Sequence, residues 1–261
     1  DEYIVGANAH TYKYEGGGAA VLGSVQPQTV TMLDNGLLDL DQVRAAVKPD
    51  DPHFARSKLL CLENTHDGKV QTVEEMHEAD RVGRSLGLAM HLDGARMWNA
   101  VAALGVTPAA MAEPFDTVSV CLSKGLGAPI GSVLVGSAEL VQEARKWRKM
   151  LGGAMRQVGI IAAAGLHALE HHRERVMDDH QNAAALAAGL SQINGVTVNG
   201  ISTNMVFASL PVSDGAAFAS QLESQGVRLA MHGANTRMVT HLDVDRTAID
   251  RVIAAVTQTL G

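Results

Sequence analysis

A lysine follows an apolar, β-branched run in Val118-Ser119-Val120-Cys121-Leu122-Ser123-Lys124 and is itself followed by Gly125-Leu126-Gly127-Ala128-Pro129. Lysine is seldom fully buried unless something pairs with it or uses it. Desolvated at the end of a buried strand, its amine loses proton affinity and can act as a nucleophile toward a carbonyl carbon. Glycines beside it let another group approach the backbone closely. Alone, the stretch reads as a strand ending in a surface turn. A second stretch changes the reading. Leu88-Ala89-Met90-His91-Leu92-Asp93-Gly94-Ala95-Arg96 is another apolar run, and it closes on a carboxylate, a glycine and an arginine.

The elements that must position these residues follow from their spacing. Asp93 and Lys124 are 31 residues apart, and the segment between them reads as helix, turn and strand, about one βαβ unit. Both residues then sit at the carboxyl ends of parallel strands, the edge where open α/β sheets bind ligands. An acid and a lysine on that edge suit pyridoxal phosphate. The lysine holds the aldehyde as an imine, and the acid pairs with the protonated pyridine nitrogen.

His91-Leu92-Asp93-Gly94-Ala95-Arg96, taken with Ser123-Lys124-Gly125-Leu126-Gly127-Ala128-Pro129-Ile130-Gly131-Ser132, resembles the low-specificity L-threonine aldolases. These are fold-type I pyridoxal-phosphate enzymes of the aspartate aminotransferase superfamily. The similarity also takes in His10 to Gly18, Leu62-Glu63-Asn64-Thr65-His66, Arg148 to Gln157 and Arg237 to Asp243, so it covers nearly the whole chain. It implies an α/β fold with a mostly parallel sheet sandwiched by helices. Residues 1–165 would form the cofactor-binding large domain and 166–261 a smaller C-terminal α/β domain. Against the family the chain is expected to be N-terminally incomplete, with a Gly-Thr phosphate-binding turn and a carboxylate-binding serine lying upstream of Asp1.

The activity implied is aldol cleavage of L-threonine or L-allo-threonine to glycine and an aldehyde through a Lys124 Schiff base. The resemblance also distributes roles. Asp93 pairs with the pyridine nitrogen, His10 stacks on the ring and His53 lies near the substrate hydroxyl, so the base is His10, His53 or a water they position. Ser123 touches the cofactor, and Lys149 and Arg156 reach the phosphate region of a neighbouring subunit, which implies a homodimer or homotetramer with shared sites. Arg96 and Arg237 hold the substrate carboxylate, and Tyr14 and His66 lie near the substrate. Read without the resemblance, His10 and His53 are ordinary loop histidines, Tyr14 a half-buried aromatic and Arg96 a salt bridge at a helix start. Arg237 differs, because an arginine inside an apolar strand is costly without an anion. The rival readings are a β-eliminating lyase or aminotransferase on the same fold, or a non-catalytic fragment.

Composition sets the bounds. The chain has 261 residues, 46% hydrophobic and 19% charged, enough for a large core. A net charge of −7 without a basic cluster argues against nucleic acid. The longest apolar runs fall short of a membrane span, and no basic-then-apolar leader is present. Cys61 and Cys121 both fall in buried-strand patterns, which reads as free core thiols in a reducing compartment, the cytoplasm. His167 and His171 have metal-ligand spacing but no third ligand, so the pattern reads as helix surface and no metal is expected.

Periodicity places the remaining elements. Strands are predicted over 3–7, 21–25, 58–63, 196–198, 205–208, 227–230 and 237–242. Helices are predicted over 39–47 with Asp39 as N-cap, 72–86, 137–151 capped by Ser137, 175–193, a segment capped by Asp214, and 247–260.

Overall fold

The structure, a computed structural model, describes residues 1–261. Its larger sheet contains β1 (Glu2–Gly6), β2 (Gln26–Val30), β3 (Ser57–Glu63), β4 (Ala89–Gly94), β5 (Thr117–Cys121) and β6 (Ser132–Gly136). They lie in the order β2-β1-β3-β4-β5-β6. Every neighbouring pair is parallel except β5–β6, which is antiparallel. Successive side chains alternate between the two faces of a strand. On one face Ile4, Leu60, Leu92 and Val118 join a core built with helices α3 (Leu40–Ala46), α4 (Val73–Ser85), α5 (Met97–Leu104) and α6 (Pro108–Ala112). On the other, Tyr3, Val5 and Cys61 pack against Ala19 of α2 (Gly18–Gly23). The face over β4 and β5 carries the cavity described below. The architecture is the mostly parallel, helix-flanked sheet expected from the sequence.

Helix starts follow the local chemistry. Asp39 accepts from the N–H groups of Asp41 and Gln42, and Thr72 forms a reciprocal capping box with Glu75. Ser137 caps α7 (Ala138–Met150) through the Leu140 N–H. After α8 (Gly159–His171) and α9 (Val176–Leu190) comes a second sheet of β7 (Thr197–Ser202), β8 (Met205–Ser209), β9 (Met231–His232) and β10 (Asn235–Val239), in the order β7-β8-β10-β9. Helix α10 (Gly215–Ser224), capped by Asp214, and α11 (Arg246–Leu260) pack with α9 on one face of this sheet, around Leu186, Leu190, Val206 and Phe218. The expected boundary at 165/166 falls inside α8, which lies in the chain between the strands of the two sheets.

Three local expectations change. Residues 21–25 are not a strand: Val21 to Gly23 end α2, and the strand begins at Gln26. A short apolar run fits either period, and the alanines before it favour a helix. Residues 227–230 form no strand, and β10 spans 235–239 rather than 237–242. The edge strand β6 was missed altogether; its five residues are exposed on both faces, so no inward-facing period marks it. No helix is long and apolar enough to cross a membrane.

Candidate active site

Register, more than any single motif, assembles the site. Glu63 on β3 lies opposite Asp93 on β4, and Asp93 lies opposite Ser119 on β5. Paired positions project to the same face, so these three side chains form a polar row across the strand ends. Gly94, next to Asp93, permits the close β4–β5 approach: a Cβ there would stand 2.7 Å from the Ser119 carbonyl oxygen. Asp93 Oδ1 accepts the Ala95 N–H at 3.0 Å. Burial, and after it the neighbouring Glu63 carboxylate, pushes the Asp93 carboxyl above its usual range, against the opposing pull of Ala95, Lys124 and His10.

Lys124 follows β5 in a turn closed by the Gly127 N–H donating to the Lys124 carbonyl at 2.9 Å. Gly127 takes a left-handed φ of 69° there. Lys124 is exposed, not desolvated as the sequence implied, because it projects where two cavities meet. One cavity, about 330 Å³, is shared with His10, His91, Asp93, Ser119 and Cys121. The other, also about 330 Å³, is shared with Arg96, Ser123, Asn204 and His241. A larger groove of about 580 Å³ lies over the open face of the small sheet and holds Arg237, but neither Asp93 nor Lys124. Residue chemistry, not size, therefore singles out the two Lys124 cavities as the candidate site.

His10 begins the short helix α1 (His10–Lys13), and its ring stands over this edge. Its backbone N–H donates to Glu63 Oε2 at 2.7 Å, its Nδ1 pairs with Glu15 at 2.8 Å, and its ring tilts against Tyr14 with centroids 5.2 Å apart. Arg96 is largely buried at the start of α5, and neither it nor Arg237 belongs to any ion pair. Burial first, and then the Arg237 charge, lowers the proton affinity of Arg96. Neither guanidinium has a carboxylate partner in the chain, and a guanidinium left without one suits an anionic ligand. Arg237 itself is exposed on the open face of β10, so the burial cost inferred from its apolar surroundings does not arise.

The remaining expected residues divide. Ser123 is exposed beside Lys124, with its Oγ 3.5 Å from Cys121 Sγ. Tyr14 is 63% exposed and reaches the site only through its contact with His10. His66 lines neither Lys124 cavity; its Nδ1 meets Glu63 Oε1 at 3.2 Å, and this hydrogen bond raises its proton affinity. Within the protomer its contact is with Glu63. His53 is brought to neither cavity. It lies in the exposed loop before the amino end of β3, paired with Asp51 at 2.6 Å, because α3 returns the chain to the opposite edge of the sheet. Lys149 and Arg156 are exposed near the end of α7 and in the segment after it.

Sequence reasoning gave Glu63 no role: its place at a strand end beside Asn64-Thr65 is visible in the sequence, but its register with Asp93 appears only once the strands are paired. It also misplaced Cys121, which faces the cavity two residues beyond Ser119. Cys61 is a core thiol, pushed up to about 12 by burial. The cofactor implied by the motifs, pyridoxal phosphate, fits these residues. Asp93 and Glu63 lie side by side in one row, and a cationic ring nitrogen beside Asp93 would offset the cost of keeping that carboxylate charged.

Comparison with known proteins places the chain in a family. The beta-eliminating lyase family profile matches residues 1–212. The low specificity L-threonine aldolase of Escherichia coli K12 is 47% identical over 254 residues, which is 97% of this chain and 76% of that protein. Low-specificity L-threonine aldolase 1 of Arabidopsis thaliana is 37% identical over 274 residues, 99% of this chain and 75% of that protein. The fold also matches a solved threonine aldolase from Leishmania major with a TM-score of 0.77 and 18% identity, covering 100% of this chain and 78% of that one. The chain belongs to the beta-eliminating lyase family and, within it, to the low-specificity L-threonine aldolases.

Proposed function

We propose that this chain cleaves L-threonine or L-allo-threonine to glycine and an aldehyde with the help of pyridoxal phosphate. The observation that carries this reading is the meeting of Asp93, Lys124 and His10 on one cavity, with the unpaired Arg96 across Lys124 in the next. Lys124 would hold the cofactor's aldehyde carbon and Asp93 its ring nitrogen, with Ser123 beside Lys124. The bound cofactor supplies an electron-withdrawing ring that accepts the pair released when the Cα–Cβ bond breaks. Arg96 and Arg237 grip the substrate carboxylate and fix the orientation of that bond. Nδ1 of His10 is engaged by Glu15, which leaves Nε2 to take the hydroxyl proton. Glu63 fixes His10 through its backbone N–H and reinforces the negative charge behind Asp93.

Lys149, Arg156 and His53 act in this scheme only when a neighbouring copy delivers them. An exposed apolar belt supports such an assembly. Val133 and Val135 of β6, Trp147 and Met150 of α7, and Leu151 and Ile160 beyond it are all at least 45% exposed. We infer a homodimer or homotetramer, a division into units within α8, and a cytoplasmic setting that suits two free thiols.

The test combines spectrum and product. The purified chain mixed with pyridoxal phosphate should gain a visible absorbance band that Lys124→Ala lacks. L-allo-threonine should then yield glycine and acetaldehyde in equal amounts. Release of a 2-oxo acid instead would assign the chain to elimination or transamination.

A further inference from the structure

The turn that carries Lys124 and the strand that carries Arg237 lie at different sheets, yet one short stretch, the turn between α8 and α9 with the first turn of α9, holds both. His172, just after α8, donates from Nδ1 to the Leu126 carbonyl at 2.7 Å. Arg175 donates from one nitrogen to the Gly125 carbonyl at 3.5 Å and from another to the carboxylate of Asp179. Asp179 is fully buried, and its backbone carbonyl accepts the Thr240 hydroxyl at 2.6 Å. Thr240, also buried, follows β10 directly, three residues beyond Arg237, and exchanges further hydrogen bonds with Asn204. A continuous chain of contacts thus runs from the Lys124 turn through Arg175 and Asp179 to the end of β10.

A buried ion pair is weak support for stability, since apolar residues of similar volume often replace one without loss. Here the pair leaves Asp179 Oδ2 buried without a partner, a poor arrangement if stability were its only role. What the pair does supply is geometry: it ties the Arg175 guanidinium, which reaches the Gly125 carbonyl at 3.5 Å, to the helical turn whose Asp179 carbonyl accepts the Thr240 hydroxyl. We propose that Arg175 and Asp179 are positioning residues that fix the Lys124 turn against the end of β10, so that the site's amine and its carboxylate-gripping arginine move as one body. The roles given to Lys124 and Arg237 rest on the function proposed above; the mechanical link does not. Misplacing reacting groups by about 1 Å can cost on the order of a hundredfold in rate, which is why such a link matters to this site.

The test measures amide hydrogen exchange of the full chain in two segments, 125–128 and 238–240, in the wild type and four variants. In Arg175→Met both segments should exchange faster by about fivefold, while Arg175→Lys recovers part of the protection. His172→Gln should loosen the turn alone. The double variant Arg175→Met/Asp179→Leu removes both charges and leaves no orphaned carboxylate. It should keep the urea midpoint near wild type and still exchange faster in both segments. A second readout is borohydride trapping of pyridoxal phosphate on Lys124, followed by peptide mass, which should slow by a similar factor in Arg175→Met. Faster exchange confined to the turn, unchanged exchange in the stable double variant, or loosening spread evenly over the small sheet would each overturn the proposal. Exchange needs neither cofactor nor substrate, so a wild type that cleaves no threonine would sink the aldolase reading and leave this result standing.

Discussion

Two regions of the molecule carry basic side chains suited to anions, and their surroundings differ. At the carboxyl edge of β3 to β5, Lys124 shares a cavity with the Asp93 carboxylate and the Ser119 hydroxyl, both placed by strand register, with the unpaired Arg96 across it, and Glu63 is itself tied to His10 and His66. Along α7 and the segment after it, Lys149 and Arg156 are exposed among exposed apolar groups such as Trp147, Met150 and Met155. The first region is organised by hydrogen bonds within one chain. The second has charge and apolar surface but no organising partner in the protomer, the pattern of a surface completed by another surface. A functional residue in the first region can therefore be judged from one chain, and one in the second cannot.

The comparison is broken most directly at Lys124. Lys124→Ala should lower cleavage by at least about a thousandfold, since it removes the nucleophilic amine itself, and should abolish the visible band. Retained turnover would show that the edge is not the reactive centre. Asp93→Asn should lower kcat by about a hundredfold, the scale of losing one preorganised electrostatic group, with cofactor still trapped on Lys124. Glu63→Gln should cost less, because Glu63 acts through Asp93 and His10. A Glu63 variant as damaged as the Asp93 variant would move Glu63 into direct contact with cofactor.

The next two changes set one region against the other. Arg96→Lys keeps the charge but loses the planar fork, so KM should rise by about tenfold with a smaller change in kcat. Arg156→Ala should lower activity less, and its defect should be complemented across copies. Mixing Arg156→Ala with inactive Lys124→Ala and allowing the chains to re-form should restore activity that neither has alone. If no activity returns on mixing while hybrids form, the α7 region does not serve a neighbour's site.

How much of this was legible depended on whether a feature was local. Asp39, Ser137 and Asp214 cap their helices as read, because a cap is decided within three residues. Asp93 and Lys124 were legible as a pair because a βαβ unit fixes the separation of two strand ends. Glu63 was not, since its importance lies in lateral register with Asp93 across a strand boundary that no local spacing reports. Cys121 was read as core for a related reason. The β5 sequence shows that the strand is apolar, and only its pairing shows that Ser119 and Cys121 share the face of Asp93 while Val118 and Val120 turn into the core. β6 failed differently, because an exposed edge strand has no buried face to impose a period. His53 was carried by resemblance alone, and a resemblance assigns a role without saying which chain's cavity the residue reaches.

The smallest expected effect concerns the support behind the edge. His66 hydrogen-bonds Glu63, and that bond raises its proton affinity in the folded chain above that of a free imidazole, about 6.5. A group whose folded proton affinity is raised stabilises the fold fully below its unfolded pKa, and this contribution fades as pH climbs through the folded value. Relative to His66→Gln, the wild type should therefore lose stability as pH rises from about 6 through the raised value, by on the order of 1 kcal/mol for a charge-assisted hydrogen bond weakened but not removed. Urea midpoints of the two proteins across that range give the comparison directly, because groups common to both cancel. Parallel curves would mean that His66 is a neutral spacer, and that Glu63 is held in place by the His10 backbone alone.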